Sequence, residues 1–399
     1  MNSYTANLKI NPKKHFISAD ISLDYYFKDN DINEITFYIY KDIKVENITS
    51  PDIKKYEVST IVSDWSPFIL ESKSIKITLK RPFNCNEKIN LKFQYSGNIE
   101  ILNSSNVNRI SEEWTELGLY SPWFPLTQNM EPALFNVIID ISNNYTVVGA
   151  SLSDHFILNK KIPENDCTII AAPNLNCIHN SIDNISLDIY YTKQEGVNTA
   201  KDISTFSSSI LKYYIDKFGD IPQKSFSIVL APRNVGGGYC RKDLIVLSPM
   251  GSNEIYDKAK QFRFLAHELA HLWWCKANCS SYEDWLNESF AEYSSLIALN
   301  DLFDKNEAQN ILTLYKTKSK TLPKIEGIAR NYENAYEVLY YKGSVILNEL
   351  ENKIGKASFY TLLKELHKNN ICSTRDFLQV LENISDTETA NFFHNALQK

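Results

Sequence analysis

The residues best suited to chemistry are His267, Glu268 and His271 of the pentad His267-Glu-Leu-Ala-His271, set in the apolar run from Gln261 to Trp274. On a helix, a spacing of four residues puts both imidazoles on one face, one turn apart, where their nitrogens can reach a single Zn²⁺. Glu268 then projects beside them as a base for water. With seven His in the chain, such a pentad arises by chance in about one sequence in a hundred of this composition, so its surroundings have to decide.

A catalytic zinc needs a third protein ligand and an open coordination position. Glu288 offers the ligand, in the stretch Ser281-Tyr-Glu-Asp-Trp-Leu-Asn-Glu-Ser-Phe-Ala-Glu-Tyr293. That stretch reads as a second helix, with Ser280 or Ser281 as N-cap and acids in its first turn, so Glu288 can face back towards the imidazoles. The competing reading makes His267 and His271 ordinary semi-buried residues of a core helix and Glu288 a solvated carboxylate. The joint presence of two imidazoles, a base and a third acid favours a metal site, one Zn²⁺ per chain, and with it a hydrolase acting on peptide bonds.

Two kinds of scaffold surround these residues. From 1 to 190, short runs of period two, such as Ile35-Thr-Phe-Tyr-Ile-Tyr40 and Ile89-Asn-Leu-Lys-Phe-Gln-Tyr95, predict an antiparallel all-β domain, sandwich-like or saddle-shaped. From 191 to 399 the pattern changes. Thr199 to Phe218 reads as an amphipathic helix stopped by Gly219, and strands at 225–231 and 244–248 bracket Gly236-Gly-Gly-Tyr239. The remainder is mostly helical, including Glu288 to Asp304, Ala335 to Ile354 and Lys356 to Lys368. The expected fold is multidomain α+β: an N-terminal antiparallel β-sandwich or saddle, then a thermolysin-like catalytic domain with a small mixed sheet and a helical lobe.

Composition agrees with burial in two cores: 399 residues, 43% hydrophobic and 12% aromatic. A net charge of −6 with interspersed signs gives no basic stripe, so nucleic acid is not an expected partner. The N-terminus has no apolar signal region and no stretch reaches transmembrane length, which predicts a cytoplasmic protein without membrane contact. Seven scattered cysteines fit reduced thiols better than a disulfide framework. Cys275 and Cys279 follow the pentad closely, but with no second pair they read as packing thiols.

Three segments resemble one known family. His267-Glu-Leu-Ala-His-Leu-Trp273, Trp285-Leu-Asn-Glu-Ser-Phe-Ala-Glu-Tyr293 and Tyr340-Tyr-Lys-Gly343 are similar to the HELAHQWF, WLNEGFAxY and YEKG motifs of the M1 zinc aminopeptidases, which are gluzincins. The resemblance implies zinc on His267, His271 and Glu288, Glu268 as general base, and Tyr340 as hydrogen-bond donor to the oxyanion of the reaction. Sixteen residues separate His271 from Glu288, against about eighteen in the family, a shortening confined to a connection.

The segment Gly237-Gly-Tyr-Cys-Arg-Lys-Asp-Leu-Ile245 falls at the family's GxMENWGLI edge strand. Gly236, Gly237, Gly238, Tyr239 and Arg241 are thereby implied to border the substrate, an extended peptide that a side-chain-free backbone can approach and pair with. A Gly-rich hairpin turn is the plainer alternative. Cys240 stands where the family has the glutamate that grips the substrate's α-amine, and a neutral thiol cannot replace a carboxylate. Glu116, in Trp114-Thr-Glu116 at the family's QxE, is a candidate replacement or else a solvated surface acid. Aminopeptidase-like activity is expected, with an endopeptidase and a non-catalytic peptide-binding module as the other readings.

Overall fold

The alternation that runs through the first half of the chain is what three packed sheets require. A computed structural model describes residues 1–62, 69, 71–99, 107–193, 196–233, 237–248 and 257–399. The chain divides into two units, Met1–Asn176 with Pro232–Val235, and Cys177–Ala231 with Gly236–Lys399.

Among the described residues, the first unit contains sheets of seven, four and four strands. In the long ladder between Phe16–Tyr26 and Lys88–Asn98, every second residue is buried, including Ile17, Ile21, Leu23, Leu91 and Phe93. Together with Phe37, Ile75, Trp123 and Val137 these side chains form one core. Most pairings are antiparallel as expected, but Asn2–Asn11 pairs parallel with Ala133–Asp140, from Asn2↔Ala133 to Lys9↔Asp140. Apolar alternation is the same on both kinds of ladder, so the period does not carry the strand direction.

The second unit is built on a five-stranded mixed sheet, in the order Asn176–Ile182, Ile185–Tyr191, Ser225–Leu230, Leu244–Ser248, Gly237–Cys240. The second to fourth strands run parallel, and the last is an antiparallel edge. The first two strands resemble the preceding β region in pattern, which is why the sequence groups residues up to 190 with it. They instead pair into this sheet, and the division lies at Asn176.

Nine helices are described in this unit: α1 (Gly196–Phe218), α2 (Lys258–Ala270), α3 (Trp285–Leu302), α4 (Lys305–Ser319), α5 (Ala335–Glu337), α6 (Gly343–Ile354), α7 (Lys356–Lys368), α8 (Thr374–Ile384) and α9 (Thr387–Leu397). The expected helix from Ala335 to Ile354 is interrupted by a π-helical turn at Val338–Lys342. α3 is buried along nearly its whole length and on all sides, as suits a central helix with α2, α4 and α6 packed about it. Tyr214, Phe262, Trp273, Trp285, Leu347 and Phe377 belong to its core. Among the described residues no helix is long and apolar enough to cross a membrane.

Candidate metal centre

α2 begins where Asp257 accepts hydrogen bonds from the backbone N–H of Ala259 (2.9 Å) and Lys260 (3.1 Å), which meets two of the unpaired donors of its first turn. Its regular bonding stops at Ala270, short of the expected Trp274. Leu272 and Trp273 bond back three residues, to Leu269 and Ala270, and tighten the last turn. His271 therefore occupies the C-cap, still in right-handed helical conformation, so both imidazoles keep the same side of the helix.

The connection to α3 is organised by Asn287. Its amide accepts from Ala277 N (3.1 Å) and donates to Ala277 O (3.1 Å) and to Asp284 Oδ1 (2.8 Å). Ser281 caps the short 3₁₀ turn Tyr282–Asp284 that leads into α3. The next residue after Asn287 is Glu288, and the clamp fixes the turn of helix that carries it.

Three ligand atoms converge. His267 Nε2 lies 3.4 Å and His271 Nε2 3.5 Å from Glu288 Oε2. The opposite ring nitrogens are occupied: His267 Nδ1 faces Glu292 Oε2 at 2.9 Å and His271 Nδ1 faces the Trp274 carbonyl at 2.9 Å. Acceptors at those positions put the ring protons on Nδ1 and leave both Nε2 lone pairs for a cation. A tetrahedral zinc with bonds of about 2.0–2.2 Å holds its donors about 3.3–3.5 Å apart, which is the spacing of each imidazole from Glu288. Glu288 Oε2 is buried and accepts no well-formed hydrogen bond, and a cation at the focus would satisfy it.

The charges agree with that fit. Burial opposes protonation of His267, but its bonds to Glu288 and Glu292 outweigh burial and raise its pKa to about 10. Burial also opposes protonation of His271, and Glu288 again prevails and raises it. Glu288 is held well below the usual carboxylate range, burial being overcome by the two imidazoles. Without a metal the site thus draws protons onto its imidazoles, because its carboxylates demand positive charge.

Glu292 is the functional residue that sequence reasoning left without a role. Burial would raise its pKa, but Arg263 and His267 bring it down to about 2. Arg263 ion-pairs with its Oε1, which also accepts from Tyr315 Oη at 2.6 Å. The available signal was its spacing of four from Glu288, which puts both acids on one face of α3. Arg330, in the loop before α5, forms an ion pair with Asp284 (2.8 Å) and lies 3.9 Å from Glu288 Oε1. No motif marks it.

Glu268 is 5% exposed, on the same helix as the imidazoles. Burial raises its pKa, the two imidazoles and Arg241 pull it down, and Glu288 pushes it up. Tyr340 sits in the π-helical turn, its ring stacked on His267. Burial, then Glu288, keeps its hydroxyl protonated, with a pKa well above the ordinary tyrosine value. The turn is held by Ser289 Oγ donating to the Leu339 carbonyl (2.6 Å) and Ser344 Oγ to the Tyr340 carbonyl (2.6 Å).

The edge strand Gly237–Cys240 runs against α2. A Cβ on Gly238 would meet Val246 O at 2.6 Å, Phe264 Cζ at 3.0 Å and Glu268 Oε1 at 3.2 Å, so only glycine lets the strand approach the face of α2 that carries Glu268. Gly237 has φ of 144°, which also favours glycine. Arg241 lies over the Tyr239 ring at 4.5 Å and donates to the Cys240 carbonyl at 3.0 Å. Gly236 lies outside the described residues. Glu116 belongs to the first unit, in strand Thr115–Leu117, and is fully buried. It accepts from Trp114 Nε1 at 3.0 Å and ion-pairs with Arg233, so of the two readings of this residue the solvated surface acid does not hold.

Comparison with known proteins adds three observations. The profile of the "Peptidase family M1 domain" matches residues 198–395. The chain is 31% identical over 122 residues to the leucyl aminopeptidase of Saccharolobus solfataricus, over 27% of this chain and 15% of that protein. It is 25% identical over 232 residues to human endoplasmic reticulum aminopeptidase 2, over 53% of this chain and 24% of that protein. The matched stretches thus span under a quarter of each relative's length. Among solved structures, the M1 zinc metallopeptidase from Deinococcus radiodurans aligns with a TM-score of 0.73 at 16% identity, covering 100% of this chain and 94% of that one. A mutant of the Deinococcus enzyme bound to a Tyr-Ser-Ala substrate aligns at 0.72 and 17% identity, with the same coverage. These likenesses fix the fold.

Proposed function

We propose that this chain, whose residues 198–395 match the domain profile of peptidase family M1, is a zinc-dependent metallopeptidase of that family, aminopeptidase-like, hydrolysing peptide bonds. The observation that carries the reading is the convergence of His267 Nε2, His271 Nε2 and Glu288 Oε2 on one focus. Zinc held there would supply Lewis acidity, lowering the pKa of water and polarising the scissile carbonyl.

The chain's own residues do the rest. Glu268 takes the proton of the attacking water and delivers it to the leaving amine; its raised pKa suits a group that must both accept and return a proton. Tyr340, kept neutral, donates to the oxyanion as it develops. Glu292 and the Trp274 carbonyl orient the imidazoles. The backbone of Gly237, Gly238 and Tyr239 offers an edge to an extended peptide, with Arg241 at its end. All seven cysteines are free thiols, which supports a reducing, cytoplasmic setting.

One observation favours an endopeptidase instead. The edge strand carries no carboxylate, having Cys240 in that stretch and the cation Arg241 beyond it, so it lacks a counter-charge for a free α-amine. For Glu116 to hold that amine it would have to share a carboxylate already engaged by Trp114 and Arg233. The deciding experiment is mass-spectrometric analysis of peptides supplied free and N-acetylated, with Glu268→Gln as control. Stepwise loss of N-terminal residues from only the free set supports the aminopeptidase, and loss of that activity in Glu116→Gln would identify the anchor. Internal cuts in both sets support the endopeptidase. No cleavage above the control removes the enzymatic reading.

A further inference from the structure

A second group of ligand-type side chains lies on the opposite edge of the same sheet. Cys177 and His179 are two apart on the edge strand Asn176–Ile182, hence on one face of it. Asp188, on the neighbouring strand Ile185–Tyr191, faces them. His179 Nδ1 is 2.8 Å from Asp188 Oδ1 and 3.8 Å from Cys177 Sγ, and the three ligand atoms all lie within 4.8 Å of one another.

A thiol, an imidazole and a carboxylate also make up nucleophilic relays, but this geometry excludes one. A relay needs the acid and the nucleophile on opposite nitrogens of the ring, so that a proton can cross it. Here both partners address Nδ1, and burial followed by the Asp188 charge pushes the Cys177 thiol up to about 11, away from the reactive thiolate. Convergence of three donors on one point is instead the arrangement a cation needs.

We propose that Cys177, His179 and Asp188 form a second metal site, taking a borderline divalent cation such as Zn²⁺ and leaving one coordination position to solvent. The donor set of one sulfur, one nitrogen and one oxygen selects Zn²⁺ or Co²⁺ over the hard cations Mg²⁺ and Ca²⁺, which take oxygen ligands. Two ligands come from one strand and the third from the strand paired with it, so the sheet sets the spacing. The cation replaces the proton on the thiol and the hydrogen bond between His179 and Asp188. Because one thiol proton leaves, apparent affinity should rise about tenfold per pH unit around neutrality.

Cobalt substitution tests this directly, because a thiolate ligand gives a sulfur-to-cobalt charge-transfer band in the near ultraviolet and the His267, His271, Glu288 set contains no sulfur. The full chain, stripped and titrated with Co²⁺, is expected to bind two equivalents, with the band belonging to one of them. Cys177→Ser should abolish the band and one equivalent while peptide cleavage, where present, is unchanged. His179→Ala and Asp188→Asn should each weaken that equivalent at least tenfold. The band should persist in His271→Ala, which separates this site from the catalytic one whatever the fate of the peptidase reading. Absence of the band at saturating Co²⁺, or its survival in Cys177→Ser or its loss in Cys240→Ser alone, overturns the proposal.

Discussion

The ring of Tyr340 lies parallel to the imidazole of His267, with centroids 5.4 Å apart and planes inclined by 9°. One contact therefore joins the residue that would polarise the substrate to a residue that would hold the metal. Replacing Tyr340 by Phe keeps the stack and removes only the hydroxyl. We expect zinc content and KM to be nearly unchanged and kcat to fall by about 10²–10³-fold, as for loss of one oxyanion donor. An equal loss of zinc would show that the tyrosine acts through the metal ligand instead.

Glu292 anchors His267 Nδ1 at 2.9 Å and is itself held by Arg263 and Tyr315. Glu292→Gln removes the charge that orients the imidazole while keeping its size. Zinc affinity, measured by competition with a chelator, should fall by about 10–100-fold. Excess zinc should restore most of the turnover, which a folding defect would not allow.

At Gly343, α6 comes so near α3 that a Cβ there would lie 1.8 Å from Ser289 Oγ. Gly343→Ala should lower Tm and displace the turn bearing Tyr340, so that kcat falls more than zinc binding does. Adding Ser289→Gly should recover part of the stability by making room. It should recover less activity, since Ser289 also holds the Leu339 carbonyl.

Metal removal should change how stability depends on pH. In the metal-free site His267 has its pKa raised from 6.5 to about 10, so its contribution is complete below 6.5 and is lost as pH rises towards 10. Glu288 is depressed below its ordinary 4.5, so its contribution is present above 4.5 and lost in acid. The metal-free protein should therefore be most stable between these limits and lose Tm steadily on the alkaline side. Zinc-loaded protein, in which the cation replaces the imidazole protons, should not show the alkaline loss. Parallel calorimetric profiles for the two forms would refute this account.

Much of this site was legible because its parts are local. Two imidazoles four residues apart and an acid opening the next helix are periodic signals, and a helix converts period into facing. Glu292 carried the same signal, at four residues from Glu288, but an acid that touches a ligand rather than the metal has no separate mark. Arg330 comes from an irregular loop, where spacing says nothing about direction. In the fold, alternation identified the strands but neither the parallel pairing of Asn2–Asn11 with Ala133–Asp140 nor the membership of Ile185–Tyr191 in the second sheet. Both depend on pairing between segments distant in sequence, and a period of two is common to every outcome.

The π-helical turn at Val338–Lys342 amounts to one extra residue wedged into an otherwise regular helix. Each residue of an α-helix turns the chain by about 100°, so the wedge offsets the phase of everything before it relative to everything after it. Excising a single residue from this stretch would let ordinary helical bonding close across the gap. α6 could then keep its buried face while the phenol swung away from His267. Catalytic competence in this chain would then hinge on a single-residue insertion, gained or lost without rebuilding the surrounding core.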